Sequence, residues 1–239
     1  MDAQQQQQPE PFEITAEMLA TLHWPEIAKK HIDWAVEAEM ISGGGRCGKQ
    51  TQPEDYPRWD PDGLNVIGIR MNPITDYYKH NEVMYNDFLV YVYGENFNAD
   101  GKFILVLPGT TDPADTDVNP KGDAHLGEGA YNAYVRGYHK GQKSRRALLQ
   151  TKAQVFVVRT RSNGEITVRE WGYFGINIHD MYGRRPSAGC QGYPRDGEGK
   201  VGNGANHKMV ESFVDAAPSR DSRTYLLMNH EQLRSYIGA

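Results

Sequence analysis

The chain has 239 residues, 38% of them hydrophobic and 24% charged, enough to bury a sizeable core in one or two domains. A net charge of −5 argues against a nucleic-acid binder, and no stretch approaches the ~18 consecutive apolar residues of a membrane span. With only two cysteines, Cys47 and Cys190, a disulfide scaffold is excluded, although one bridge between them stays open.

Residues 1–12 are rich in glutamine and proline and read as a disordered tail. They have no basic stretch followed by an apolar one, so no secretory leader is expected. Residues 13–50 read as a helical segment ending in a glycine-rich linker. Thr15 is placed to cap a first helix. From Pro25, Ile27, Trp34, Ala38 and Ile41 recur at helical spacing with Lys29, Lys30, Glu37 and Glu39 on other faces. The run Gly43-Gly-Gly-Arg-Cys-Gly-Lys49-Gln50 nearly spells a phosphate-binding loop. Gln50 stands where magnesium needs a hydroxyl, and a helix rather than a strand precedes the glycines, so it reads as a flexible linker with Cys47 a bystander.

Residues 51–239 read as one β-rich domain. Strands are predicted over 64–70, 87–93 and 102–107, where β-branched and aromatic residues run between Gly, Pro, Asn and Asp. The sequence from 108 to about 141 reads as a long polar loop. Asp112, Asp115 and Asp117 lack the order of a calcium loop and read as solvated, while Thr110, Thr111, His125, Tyr138 and His139 are candidates to line a groove. The basic run 139–146 lacks interleaved aromatics and reads as a solvated face. Strands at 154–159 and 165–169 flank Asn163-Gly164, a hairpin signal. A strand at 175–179, a helix at 208–216, a strand at 224–228 and a short helix at 230–236 complete the reading.

The chemistry concentrates between Trp171 and Gly192. Ile176, Ile178 and their aromatic neighbours form a short strand that delivers His179, and Gly183 and Pro186 turn the chain before Ser187-Ala-Gly-Cys190. A thiol that attacks a carbonyl needs an imidazole or oriented N–H dipoles beside it, and Gly189 lets a substrate approach Cys190 closely. Backbone N–H groups at such a turn are placed to hold the oxyanion of the attacked amide.

These residues resemble the L,D-transpeptidase catalytic domain family, whose signature is a strand-borne histidine followed by Ser-His-Gly-Cys and usually an arginine. Here Ser187-Ala188-Gly189-Cys190 stands in that place, with Ala188 for the histidine and Gln191-Gly192 where the arginine usually lies. The remainder, from Leu64 to the C-terminus, is similar to a divergent branch associated with phage and prophage genomes. The resemblance implies a mainly β (α+β) sandwich with peripheral helices, Cys190 as acylated nucleophile and His179 as its base. It also implies peptidoglycan stem peptides as substrate, with no cofactor and no metal. Ser187 is expected to shape the turn and Gln191 to contact a substrate amide or carboxylate. Without a leader, the protein would reach the wall through a phage particle, a holin, a secretion apparatus or lysis.

Three rivals remain. A zinc site from His179, Asp180 and Cys190 lacks the local ligand spacing common in such sites. A base following the cysteine, as in papain-like peptidases, would be His207 or His230. A non-catalytic wall-binding or phage structural module could retain the fold without the reaction.

Overall fold

The computed structural model describes residues 13–71, 85–96, 103–112, 119–142, 145–161, 163–181, 189–194 and 204–239. Thr15 is extended and accepts a hydrogen bond on Oγ1 from Met18 N at 3.2 Å, which starts α1, Ala16–Thr21. Pro25 sits in the first turn of α2, Trp24–Glu37, where a missing N–H costs the helix nothing. The buried residues of α2 are Trp24, Ile27, Ala28, His31 and Ala35, one stripe at helical spacing. Glu39 adopts a left-handed φ of 60° and turns the chain out of the helix.

Thirteen strands follow among the described residues. They are β1 (Ile41–Gly43), β2 (Arg46–Cys47), β3 (Leu64–Arg70), β4 (Asp87–Tyr93), β5 (Ile104–Gly109), β6 (Asp123–Leu126) and β7 (Gly129–Tyr138), then β8 (Arg146–Gln150), β9 (Val155–Thr160), β10 (Ile166–Gly172), β11 (Ile178–Met181) and β12 (Gln191–Pro194). After α3, Ala205–Ala216, come β13, Arg223–Asn229, and α4, His230–Ile237. The main sheet is mixed and runs β12-β11-β8-β7-β13-β3-β4-β5, with β6, β9 and β10 in a separate three-stranded sheet. The two ends of the long path meet: Thr110 N donates to Gly192 O at 2.7 Å and Gly192 N donates to Thr110 O at 3.0 Å.

Alternation along the strands divides the core. Val66, Leu89, Tyr91, Tyr225 and Leu227 face one cluster with the small sheet and α3, whereas Ile67, Ile69, Val90, Leu226 and Met228 face α1, α2 and α4. The result is a mainly β fold in which α1, α2 and α4 cover part of one face of the main sheet while the small sheet and α3 pack on the other. Every side chain of β3 is buried, as expected for a strand between two others with both faces covered.

Two predicted irregular regions are sheet instead. In the supposed linker, β1 pairs in parallel with β7 and antiparallel with β2, across a turn in which Gly44 and Gly45 take left-handed φ values of 55° and 78°. The supposed long loop contains β6 and the ten-residue β7, whose Ala130 and Ala133 are fully buried. Gly, Ala and Asn give β7 a loop-like composition, yet small side chains are what close layers admit. Both cysteines are free thiols. The tail, Asp115, Asp117, Ser187 and Ala188 lie outside the described residues.

Candidate active site

Strands β11 and β12 lie side by side in parallel, with Ile178 opposite Gln191 and His179 opposite Gly192. The approach depends on Gly192, since an added Cβ would stand 2.1 Å from His179 O. Gln191 N donates to Asn177 O at 2.9 Å, which fixes Cys190 at the head of β12, beside the end of β11 that carries His179.

The side chain of Gln191 is fully buried and points into the scaffold. Its Nε2 donates to Thr111 O at 3.1 Å and its Oε1 accepts from the Tyr225 hydroxyl. Tyr225 reaches it through space left by Gly68, where a Cβ would lie 2.0 Å from the hydroxyl oxygen. Thr111 is held by fully buried Arg70, which donates to Thr111 O at 3.0 Å and pairs with Asp112 at 3.0 Å and Glu128 at 2.8 Å. Burial opposes ionisation of Asp112, but Arg70 and His125 outweigh it and hold this carboxyl below the usual range. Asp112 is thus a buried ion-pair partner rather than a solvated loop residue. Thr110, Thr111 and His125 belong to the same buried support and not to the wall of a groove.

His179 is buried, with Nδ1 2.5 Å from Asp180 O. Arg145 Nη2, which only donates, also lies 3.1 Å from Nδ1, but the shorter contact is to a carbonyl that only accepts, which favours the proton on Nδ1 and the lone pair on Nε2. Arg145 braces the same carbonyl through Nη2 at 3.0 Å and pairs through Nε with Asp180 Oδ1 at 3.1 Å. Against His179 lies the ring of His139, centroids 3.9 Å apart and planes tilted by 33°. His139 and Arg145 come from one loop between β7 and β8. Its backbone closes through His139 N to Arg145 O at 2.8 Å and Arg145 N to Gln142 O at 2.8 Å. Lys140 within that loop is left-handed, φ 51° and ψ 31°, a conformation costing a lysine about 1 kcal/mol.

One ring nitrogen from each of His139 and His179 and the sulfur of Cys190 all lie within 4.8 Å of one another. They face a cleft of about 470 Å³ that also exposes Gly189, Phe174 and three cations, Lys140, Arg145 and Arg159. Among the described residues no Asp or Glu lines it. Cys190 is half-buried, with Sγ 3.5 Å from Gly175 O. Burial, then His139 and Arg145, push the His179 imidazole down to about 4. Burial, then Arg145 and Lys140, do the same to His139, also to about 4. Near neutral pH both rings are uncharged, so the site holds a neutral imidazole near a thiol. Arg145 is paired with Asp180 and Arg159 with Glu170 at 2.7 Å, so the positive character of the cleft rests mainly on Lys140, a charge able to attract negative charge developing on a bound carbonyl oxygen.

Of the residues picked from sequence, His179, Gly189 and Cys190 meet at this cleft, Gln191 supports it from behind, and Ser187 is outside the described residues. His207 is buried on α3 with Nδ1 3.4 Å from the Tyr193 hydroxyl, and His230 pairs with Glu231; neither is among the described residues lining the cleft. Asp180 is taken up by Arg145, which removes it from a zinc set. Position alone suggests His139 from the sequence, whereas Arg145 lies in a run of charges, 139–146, that reads as solvated and gives no sign of its contact with His179. The β7–β8 loop brings a histidine and an arginine to His179. Comparison with protein-family models, with curated proteins and with solved structures finds no match.

Proposed function

We propose that the cleft performs acyl transfer on peptidoglycan stem peptides, with Cys190 as nucleophile and His179 Nε2 as its base, in the manner of the L,D-transpeptidases that the motif resembles. The observation that carries this reading is the convergence of His179, His139 and Cys190 within 4.8 Å at an open, cationic cleft. Lys140 at the cleft, beside Arg145 and Arg159 that are paired with Asp180 and Glu170, supports a substrate bearing a carboxylate. The mainly β fold, with the nucleophile at the head of a strand, agrees with the architecture expected of that family.

In the reaction, the Cys190 sulfur attacks the amide carbon as its proton passes to His179 Nε2. Burial above all keeps the imidazole neutral at rest, and the oxyanion of the tetrahedral intermediate supplies the negative charge that lets the proton settle on His179 as it forms. Collapse breaks the C–N bond, and the departing amine takes the proton from His179. The resulting thioester is cleaved by water, giving a shortened peptide, or by an amine, giving a cross-link.

The test is incubation with purified muropeptides, read by mass spectrometry of products and of the intact protein. Wild type should form a covalent adduct and release product. Cys190→Ala should abolish both, and His179→Ala should slow turnover by about 10²- to 10⁴-fold. Product formation by Cys190→Ala would overturn the proposal. Binding to wall without any product would instead assign the fold to the non-catalytic module.

A further inference from the structure

The same three side chains have a second chemistry. Two imidazoles and a thiolate are ligands that zinc prefers, and a tetrahedral ion with Zn–N of about 2.0–2.1 Å and Zn–S of about 2.3 Å places its ligand atoms roughly 3.3–3.6 Å apart. The present separations, none above 4.8 Å, need to contract by at most roughly 1.5 Å, a shift that rotation of the His139 and Cys190 side chains toward the anchored His179 ring supplies. The three come from separate elements, the β7–β8 loop, β11 and the head of β12, so the fold builds this set and no local sequence spacing announces it. The Nδ1–H of His179 is anchored on Asp180 O, itself braced by Arg145, and this leaves Nε2 as the ligand atom in a fixed ring orientation. Three protein ligands facing a cleft of about 470 Å³ leave the fourth position to solvent.

We propose that His139, His179 and Cys190 bind Zn²⁺ as an open N₂S site, and that the bound ion holds Cys190 out of reaction. On binding, the thiol loses its proton to solvent, the sulfur forms a bond to zinc, and water completes the coordination. Coordination draws charge from the thiolate and places the ion and its water where a carbonyl would approach the sulfur, so metal and acyl group compete for Cys190. This regulatory consequence rests on Cys190 being the nucleophile; the binding itself does not.

The full chain, chelator-treated and reduced, is titrated with Co²⁺ as a coloured substitute and then with Zn²⁺. Expected are one equivalent bound, a sulfur-to-cobalt charge-transfer band with tetrahedral d–d bands, and loss of both on adding Zn²⁺. Zinc should also protect one thiol from alkylation until a chelator is added. Cys190→Ser should remove the charge-transfer band, His139→Ala should weaken binding by at least 10-fold, and Cys47→Ser should change neither. A cobalt band absent from wild type, or surviving in Cys190→Ser, overturns the site. Full affinity in a folded His139→Ala variant overturns its ligand set. None of these readouts uses a peptide substrate, so a failed titration leaves the acyl-transfer reading intact, and inactivity on muropeptides leaves the metal site intact.

Discussion

Replacing Gln191 by leucine separates the two roles open to it, substrate contact and support. The substitution keeps the side-chain volume and removes both ends of the amide. Thr111 O keeps its bond from Arg70 Nη2 at 3.0 Å, so it is not orphaned. The Tyr225 hydroxyl, on a residue with no exposed surface, loses the acceptor it has in Gln191 Oε1. One buried donor left without a partner costs about 1–3 kcal/mol. For a chain of 239 residues, 2 kcal/mol corresponds to a fall in Tm of roughly 4–8 °C. Tyr225→Phe alone should cost a similar amount by orphaning Gln191 Oε1, while the double variant leaves neither atom unpaired. The two effects should therefore fall short of additivity by about 1–3 kcal/mol. Urea denaturation of the four proteins measures this cycle, with muropeptide turnover per folded molecule alongside. If Gln191→Leu keeps its Tm and loses kcat/KM, the residue contacts substrate and the supporting role is wrong.

Other perturbations probe the frame around the cleft. Gly192→Ala places a methyl group 2.1 Å from His179 O and should cost at least the upper end of about 1–3 kcal/mol by forcing β11 from β12. Gly189→Ala meets nothing closer than Ala124 O at 3.4 Å and should stay within about 0.5 kcal/mol of wild type, and denaturation midpoints compare the pair directly. Arg70→Met leaves the Asp112 carboxylate buried without its cation and should lose about 3–5 kcal/mol; a loss below about 1 kcal/mol would show that the pair contributes little. Burial pushes His31 from 6.5 down to about 4, although its ring contacts Gly129 O and the Tyr236 hydroxyl, each at 3.2 Å. Between those pH values the unfolded chain binds more protons at this position than the folded one. Its contribution is therefore complete above pH 6.5 and lost as pH falls toward 4, by up to about 3 kcal/mol. His139 and His179 act in the same direction, so His31→Gln should flatten the acid slope of stability without abolishing it, and parallel curves for variant and wild type would refute the assignment.

Much of this organisation is legible in the residue order. Leu64–Arg70 and Asp87–Tyr93 announce themselves as strands because β-branched and aromatic residues there are bounded by turn formers. The cap at Thr15, the Asn163-Gly164 hairpin and the last strand and helix follow from equally local rules. The pairing of His179 with Cys190 is also legible, since short strands and a turn keep them near each other along the chain. Other features hide because their cause lies elsewhere in the fold. The glycine and alanine of β7 look like loop until neighbouring layers require small side chains. A run of charges at 139–146 looks solvated until the β7–β8 loop folds over β11. Asp112 looks solvated until Arg70 is found beside it, fully buried.

What the order of residues determined by itself was about half of the strands, β3, β4, β5, β9, β10, β11 and β13, together with the mainly β class and a histidine and cysteine placed to meet. Only the tertiary structure decided that His139 and Arg145 join them, that Gln191 turns inward, and that a cationic cleft opens above the thiol. Backbone propensity acts over a few neighbouring residues, whereas sheet pairing and the junction of β5 with β12 bring together groups from distant parts of the chain, and the chemistry of the cleft depends on those contacts.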